Sequence, residues 1–291
     1  MNKNLEMRAY THTLQMVSEE LAIPIEEANQ RPYLTKNISR VQRGILYPIN
    51  ANKFVHRDIE SYEELVSVLD LIKQDLEVDE WFIDRQDIAV DTTASYDELY
   101  KINRMLVLLF GLHTNNKNVT SIEGIRELKK RALVCHDRKY ELYIYDKRLE
   151  SGGKYPYSRC EFRFKLLDAN HRNKVLQELC KMLRVLPKHL DELNKLKIDT
   201  LYKLWLTESA PDYKNTPVHS LPEFFRRHGD DIFTTNIARG LHDKILKGKY
   251  ENWIGHYRQS GGNIHFIRKT EIKNYCNSIK KAVENYAKSC G

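Results

Sequence analysis

In the run Ile83-Asp84-Arg85-Gln86-Asp87-Ile88-Ala89-Val90-Asp91 polar and apolar residues alternate, so an extended chain turns Asp87, Ala89 and Asp91 to one side and their neighbours to the other. Carboxylates on one face could begin a divalent-cation site. Asp87 and Asp91 lie about 13 Å apart along an ideal strand at ~3.3 Å per residue, too far to hold one ion between them. A cation of that class wants several oxygen ligands, so a further carboxylate is needed, such as Glu161 in Cys160-Glu161-Phe162-Arg163-Phe164. The plainer reading is that acidic residues at strand ends simply face water.

A second candidate is Tyr143-Ile144-Tyr145-Asp146-Lys147-Arg148-Leu149-Glu150, followed by Arg159-Cys160-Glu161-Phe162-Arg163. Tyr143 and Tyr145 share one strand face, which Lys147 extends. A phenol that attacks a phosphodiester needs a metal or cations to hold the scissile phosphate and to stabilise the charge that develops. Lys147, Arg159 and Arg163 could supply them. Tyrosines are also ordinary strand residues, and spacing alone favours that role for both.

The elements that must position these groups form an α+β pattern. Leu14, Val17, Leu21 and Ile25 recur at helical spacing and predict a helix from Met7 to Glu27, ended or interrupted by Pro24. A short strand is predicted at Val41–Pro48 and a helix from Ser61 to Leu76, with Ser61 as N-cap and Glu64 as its capping-box partner. The strand ending at Asp91 leads into a helix over Tyr96–Leu112, whose apolar face carries Leu99, Ile102, Leu106 and Leu109. Asn115–Thr120 reads as a turn, and strands Tyr140–Asp146 and Arg159–Leu166 are joined through Ser151-Gly152-Gly153 and Pro156. These outline an antiparallel or mixed sheet flanked by helices, over residues 1–168. Residues 169–291 read as a mainly helical, basic domain. Helices are predicted at Asn173–Leu186, Leu190–Lys197, Thr200–Leu206 and Glu271–Lys288, with a proline-rich linker at Ser209–Pro222 and room for a helix-turn-helix or winged-helix module.

Charge divides the same way. Residues 1–120 carry 13 Lys and Arg against 19 Asp and Glu, whereas residues 121–291 carry 34 against 21. Such asymmetry speaks of partners and not of fold. In the basic half cations sit beside aromatics, as in Lys154-Tyr155, Phe224-Phe225-Arg226-Arg227, Lys249-Tyr250 and Tyr257-Arg258. Cations neutralise phosphates and aromatics stack on unpaired bases, a mixture suited to single-stranded or locally melted DNA. Lys154, Arg159, Arg226, Arg227, Lys249, Arg258 and Lys269 are the candidate nucleic-acid contacts. The bland alternative is a solvated, Lys-rich helical surface. The five cysteines form no Cys-x-x-Cys pair, which argues against a disulfide framework or cysteine-rich zinc site. No apolar run approaches the roughly 20 residues of a membrane span, and a cytoplasmic protein is expected.

The strand with paired Asp residues, then Tyr96-Asp97-Glu98-Leu99-Tyr100-Lys101-Ile102-Asn103, then Ile144-Tyr145-Asp146-Lys147 with Glu150, then Arg159-Cys160-Glu161-Phe162-Arg163 resembles the catalytic core of rolling-circle replication initiators of plasmids and phages. The likeness is to the Rep-trans type and its related relaxases, and it covers about residues 80–166. It implies a nickase that cuts one strand at an origin and stays joined to the 5′ phosphate through tyrosine, using Mg²⁺ or Mn²⁺. Carried over by position, Asp87 or Asp91 and Glu161 are the metal ligands, Tyr145 the nucleophile, and Lys147 and Arg163 phosphate contacts. Tyr143, Tyr155 and Tyr157 rival Tyr145. A host helicase and a second copy of the chain are further partners that the resemblance implies. The paired-histidine motif of the broader superfamily is absent, and His113, His136 and His265 stand alone in the sequence. That departure also fits a mobile-element protein that binds nucleic acid, or blocks a host nucleic-acid machine, without cutting. A basic module for an acidic protein partner is the third reading.

Overall fold

The computed structural model describes residues 5–20, 23–114, 119–125, 130–136, 138–165, 167, 174–193, 195, 239–240, 252, 255, 259 and 266–288. The predictions at 200–206 and 209–222, most of the turn at 115–120, and the candidate contacts Arg226, Arg227, Lys249 and Arg258 lie outside the described residues.

The order of elements is β1 (Met7–Ser18), α1 (Ile25–Ala28), β2 (Ser39–Val41), β3 (Gly44–Ile49), α2 (Ala51–Val55), α3 (Tyr62–Asp75), β4 (Phe82–Thr92), α4 (Tyr96–His113), β5 (Val119–Ile125), β6 (Lys130–His136), β7 (Tyr140–Asp146), α5 (Lys147–Glu150), β8 (Ser158–Lys165), α6 (Val175–Val185), a 3₁₀ turn (Leu186–His189), α7 (Leu190–Leu193) and α8 (Lys269–Lys288). The strands form one eight-stranded sheet in the order β2-β3-β1-β4-β8-β7-β6-β5. Every neighbouring pair is antiparallel. The α+β class holds, and of the two sheet types expected it is the antiparallel one.

The helix predicted over Met7–Glu27 is a central strand instead. β1 pairs with β3 on one side and β4 on the other. Tyr10, Thr11, Thr13 and Val17 favour a pleated backbone. A strand covered on both faces loses the clean apolar alternation that would have announced it. A bulge at His12, between the pairs Thr11–Ile88 and Thr13–Asp87, shifts the phase again. Pro24 does not end a helix but stands as the N-cap of α1. Strands β5 and β6, which the sequence reading did not predict, complete the far edge.

Helices α3 and α4 form where capping chemistry places them. Ser61 accepts a hydrogen bond from the Glu64 amide, while the Glu64 carboxylate accepts from the Glu60 amide. At α4 the box is reciprocal: Ser95 Oγ accepts from the Glu98 amide and Glu98 from the Ser95 amide. Ser95→Ala is therefore expected to lower stability by about 1 kcal/mol, read as a shift in urea midpoint at unchanged slope; no shift would mean that the cap is idle.

One face of the sheet carries the main core. Ile88 and Val90 of β4, Leu142 and Ile144 of β7, and Cys160, Phe162 and Phe164 of β8 pack with Leu99, Met105, Leu106 and Phe110 of α4 and with Ile272, Tyr275, Ile279 and Val283 of α8. Helix α8 thus joins the same core as the sheet, although it lies beyond residue 168. A second cluster, Leu14, Met16, Tyr47 and Ile49 with Leu65, Leu69 and Ile72 of α3, seals the β3 side. Among the described residues no helix is long and apolar enough to cross a membrane.

Candidate functional site

With helices over one face, the other is free for polar side chains, and cross-strand register lays them out in rows. One row runs Asp87 (β4), Arg163 (β8), Glu141 (β7); the next Ala89, Glu161, Tyr143; the third Asp91, Arg159, Tyr145. Directly opposed residues share a face and their side chains meet. Glu161 therefore stands across from Ala89, between the two aspartates, where a third carboxylate was expected.

The rows are cross-linked by charge. Arg85 grips Asp87 with both arms, Nε to Oδ1 at 2.7 Å and an η nitrogen to Oδ2 at 2.6 Å. Arg159 grips Asp91 likewise, at 2.6 and 2.9 Å. Its guanidinium also donates to the hydroxyls of Tyr145, at 3.3 Å, and Tyr10. Tyr10 in turn donates to Asp91 at 3.0 Å. Arg163 lies among three carboxylates, Glu161 at 2.7 Å, Glu141 at 3.3 Å and Asp87 at 3.8 Å, with its guanidinium carbon 4.9 Å from the Tyr143 ring centroid.

Tyr145 sits at the centre. Its hydroxyl is 3.4 Å from Glu161 Oε2 and accepts from Arg159, and the Lys147 ammonium lies 5.9 Å from its ring centroid. Burial and the neighbouring Glu161 carboxylate push its phenol well above the ordinary tyrosine value. Burial also pushes Glu161 upward, but Arg163, His12 and Arg159 outweigh it and hold the carboxyl below its ordinary value. The pair is thus a protonated phenol beside an ionised carboxylate.

Asp87 behaves oppositely. Burial outweighs the Arg85 ion pair and, with Glu161 nearby, pushes it up to about 6. Folded Asp87 keeps a proton that the unfolded chain has lost between about pH 4 and 6, so its contribution to stability falls as pH rises through that window. Glu161 has the other sign, its contribution being lost as pH falls below its ordinary range. Between pH 5 and 6 the Asp87 effect should dominate, by about 1 kcal/mol, and denaturation of Asp87→Asn at several pH values should give a flatter profile there. A profile as steep as that of the parent chain would exclude Asp87 as the source.

Beside this face opens a cleft of about 790 Å³, lined by Arg8, Tyr10, His12, Lys53, Lys147, Tyr155, Tyr157 and Arg159 among others. Tyr155 and Tyr157 stack at its side, rings 6.5 Å apart and 21° from parallel. The ammonium groups of Lys147 and Lys154 lie 5.7 and 5.3 Å from the Tyr155 ring centroid.

The expected residues divide accordingly. Tyr145, Lys147, Arg159, Glu161, Arg163, Asp87 and Asp91 come together, and Lys154 stands at the cleft with Tyr155. Arg159 and Arg163 are not free phosphate contacts as expected: Arg159 is 4% exposed and holds Asp91, and Arg163 ties three carboxylates. Lys269 begins α8 in the helical layer, paired with Asp191 at 2.6 Å, and does not belong to this face. Asp87 and Asp91 each have both oxygens occupied by a guanidinium, so the set Asp87, Asp91, Glu161 does not form a shared oxygen cage. Among the described residues no group of three or more His, Cys, Asp and Glu is arranged to hold a metal ion.

Tyr10 and His12 were missed because β1 was read as a helix. The signal was present in Tyr10-Thr11-His12-Thr13, an aromatic and β-branched run. His12 Nδ1 lies 3.5 Å from Glu161 Oε2, and burial lowers the histidine's pKa although the Glu161 carboxylate opposes it.

The fold and face define a class: an antiparallel sheet with helices on one side and a phenol, carboxylate and guanidinium array on the other. Among solved structures the chain is similar to a rolling circle replication initiator protein from Geobacillus stearothermophilus, at 15% identity over 77% of this chain and 96% of that one, with a TM-score of 0.30. At that level the functional reading rests on this chain's own residues. No family model matches the chain, and no curated protein does.

Proposed function

We propose that the chain is a DNA replication initiator of the rolling-circle type, which nicks and rejoins one strand through a tyrosine–phosphate linkage. The observation that carries this reading is the Tyr145 hydroxyl set between the Glu161 carboxylate at 3.4 Å and the Arg159 guanidinium at 3.3 Å, next to a cleft with cations and stacked tyrosines. Glu161 takes the phenolic proton as the Tyr145 oxygen attacks phosphorus. The 3′ oxygen of the preceding nucleotide leaves with the bonding pair and takes up a proton, and the 5′ phosphate stays on the tyrosine. Rejoining reverses each transfer. Arg159 offsets the negative charge that develops on the phenol, and Lys147 that on the phosphate oxygens.

Mg²⁺ or Mn²⁺ would be held by Glu161 and His12, whose donor atoms lie 3.5 Å apart. When bound, the ion would polarise the scissile phosphate. Single-stranded DNA passes along the cleft, its bases against Tyr155 and Tyr157. A host helicase and a second copy of the chain are further proposed partners.

The test is incubation of the protein and Mn²⁺ with a supercoiled plasmid carrying its own origin. The expected products are nicked circles and a protein–DNA adduct that survives denaturation; the absence of both would defeat the proposal. A second reading, DNA binding without cutting, draws on the 6% exposure of Tyr145, which is not among the residues that line the cleft. It predicts retention of the same plasmid with no adduct.

A further inference from the structure

His113 closes α4 and His189 closes the 3₁₀ turn before α7, and although 76 residues separate them the rings meet, with centroids 5.5 Å apart and planes at 57°. His113 Nδ1 lies 3.3 Å from His189 Nε2, and the other nitrogen of His189, Nδ1, lies 2.9 Å from Glu192 Oε2. A carboxylate can only accept, so the hydrogen of that contact sits on His189 Nδ1. In the neutral ring Nε2 then carries a lone pair, directed at His113. Metal-bound histidines are commonly fixed in this way, by a carboxylate on the far nitrogen.

Two nitrogens on one tetrahedral Zn²⁺, each at ~2.0–2.1 Å, stand roughly 3.3–3.4 Å apart. The observed gap matches that edge. His113 Nδ1 donates its one hydrogen to the His189 lone pair, and a shift of the hydrogen to its own Nε2 frees Nδ1 for an ion. His113 lies in the last turn of an 18-residue helix, where the backbone carbonyls favour a cation. Both rings remain partly exposed, so an ion can enter from solvent.

We propose that His113 and His189 bind Zn²⁺, with Glu192 orienting His189 and water completing the tetrahedron. The site ties the end of α4 to the Leu186–Leu193 segment. It lies on the helical layer, so it stands or falls independently of the tyrosine chemistry.

The test uses the full chain, stripped of metal with a chelator and dialysed, then titrated with Zn²⁺ alone in excess Mg²⁺, by calorimetry and by thermal melts. Wild type is expected to take up one equivalent that both His113→Ala and His189→Ala lose. At a hundredfold excess over Kd its melting midpoint should rise by roughly 5 °C or more. Glu192→Gln, which keeps both ligands, should weaken binding about 10-fold or more. Melts without metal show whether the alanine variants fold, and Glu192→Gln decides if they do not. An unchanged stoichiometry in the histidine variants, an unchanged affinity in Glu192→Gln, or no uptake by wild type below about 1 mM Zn²⁺ would mean an ordinary histidine–histidine hydrogen bond and overturn the proposal.

Discussion

Tyr145→Phe is expected to abolish covalent attachment to cleaved DNA and to lower nicking by roughly 10⁴-fold or more, the scale on which loss of a covalent nucleophile is felt. The ring stays where it is, packed beside Tyr143 at 5.2 Å between centroids, so the cleft keeps its shape and binding to uncut single-stranded DNA should change little. What disappears is the oxygen that Glu161 deprotonates and that Arg159 supports. Some stability goes as well, about 1–2 kcal/mol, because Arg159 and Glu161 each lose a buried partner. Gel analysis of denatured reactions reads the adduct, and filter binding reads the affinity. If Tyr145→Phe still formed adduct at the parent rate, the nucleophile would be another tyrosine, with Tyr155 and Tyr157 of the cleft first in line.

Arg159→Ala should produce the largest loss of stability on the sheet, about 3–5 kcal/mol by urea denaturation. Removal of one partner from a buried ion pair leaves the other as an uncompensated charge, and Asp91 would be that charge, 9% exposed and bonded otherwise to Tyr10. Asp91→Leu combined with Arg159→Met should recover much of the loss, since two apolar side chains of similar size need no compensation. A loss below about 1 kcal/mol in Arg159→Ala would show that water reaches Asp91 and that the pair is not interior.

Much of the frame was legible in the chain, for reasons that differ by element. Helix α4 announces itself through Ser95, Glu98 and the apolar series from Leu99 to Leu109, because capping and 3.6-residue spacing are local properties. Strands β4, β7 and β8 were readable through alternation, and with them the shared face of Tyr143 and Tyr145. What stayed hidden was set by pairing over long distances in sequence. Tyr10 meets Asp91 and Arg159 only because β1 inserts between β3 and β4, and nothing near residue 10 encodes that neighbour. The same holds for Arg159, which reads as a surface cation in sequence and becomes an interior clamp once Asp91 is opposite. Glu161 was chosen as the third carboxylate, and cross-strand register sets it between Asp87 and Asp91. Its nearer partners there, His12, Arg163 and Tyr145, follow from the fold alone.

The most direct measurement of the central claim is the identity of the residue that carries DNA. Adduct formed on a 5′-labelled origin oligonucleotide, digested with protease and sequenced by tandem mass spectrometry, should place the phosphodiester on the peptide containing Tyr145, at that side chain. Phosphate found on Tyr155 or Tyr157, or a reaction that cuts DNA with no protein attached, would contradict it.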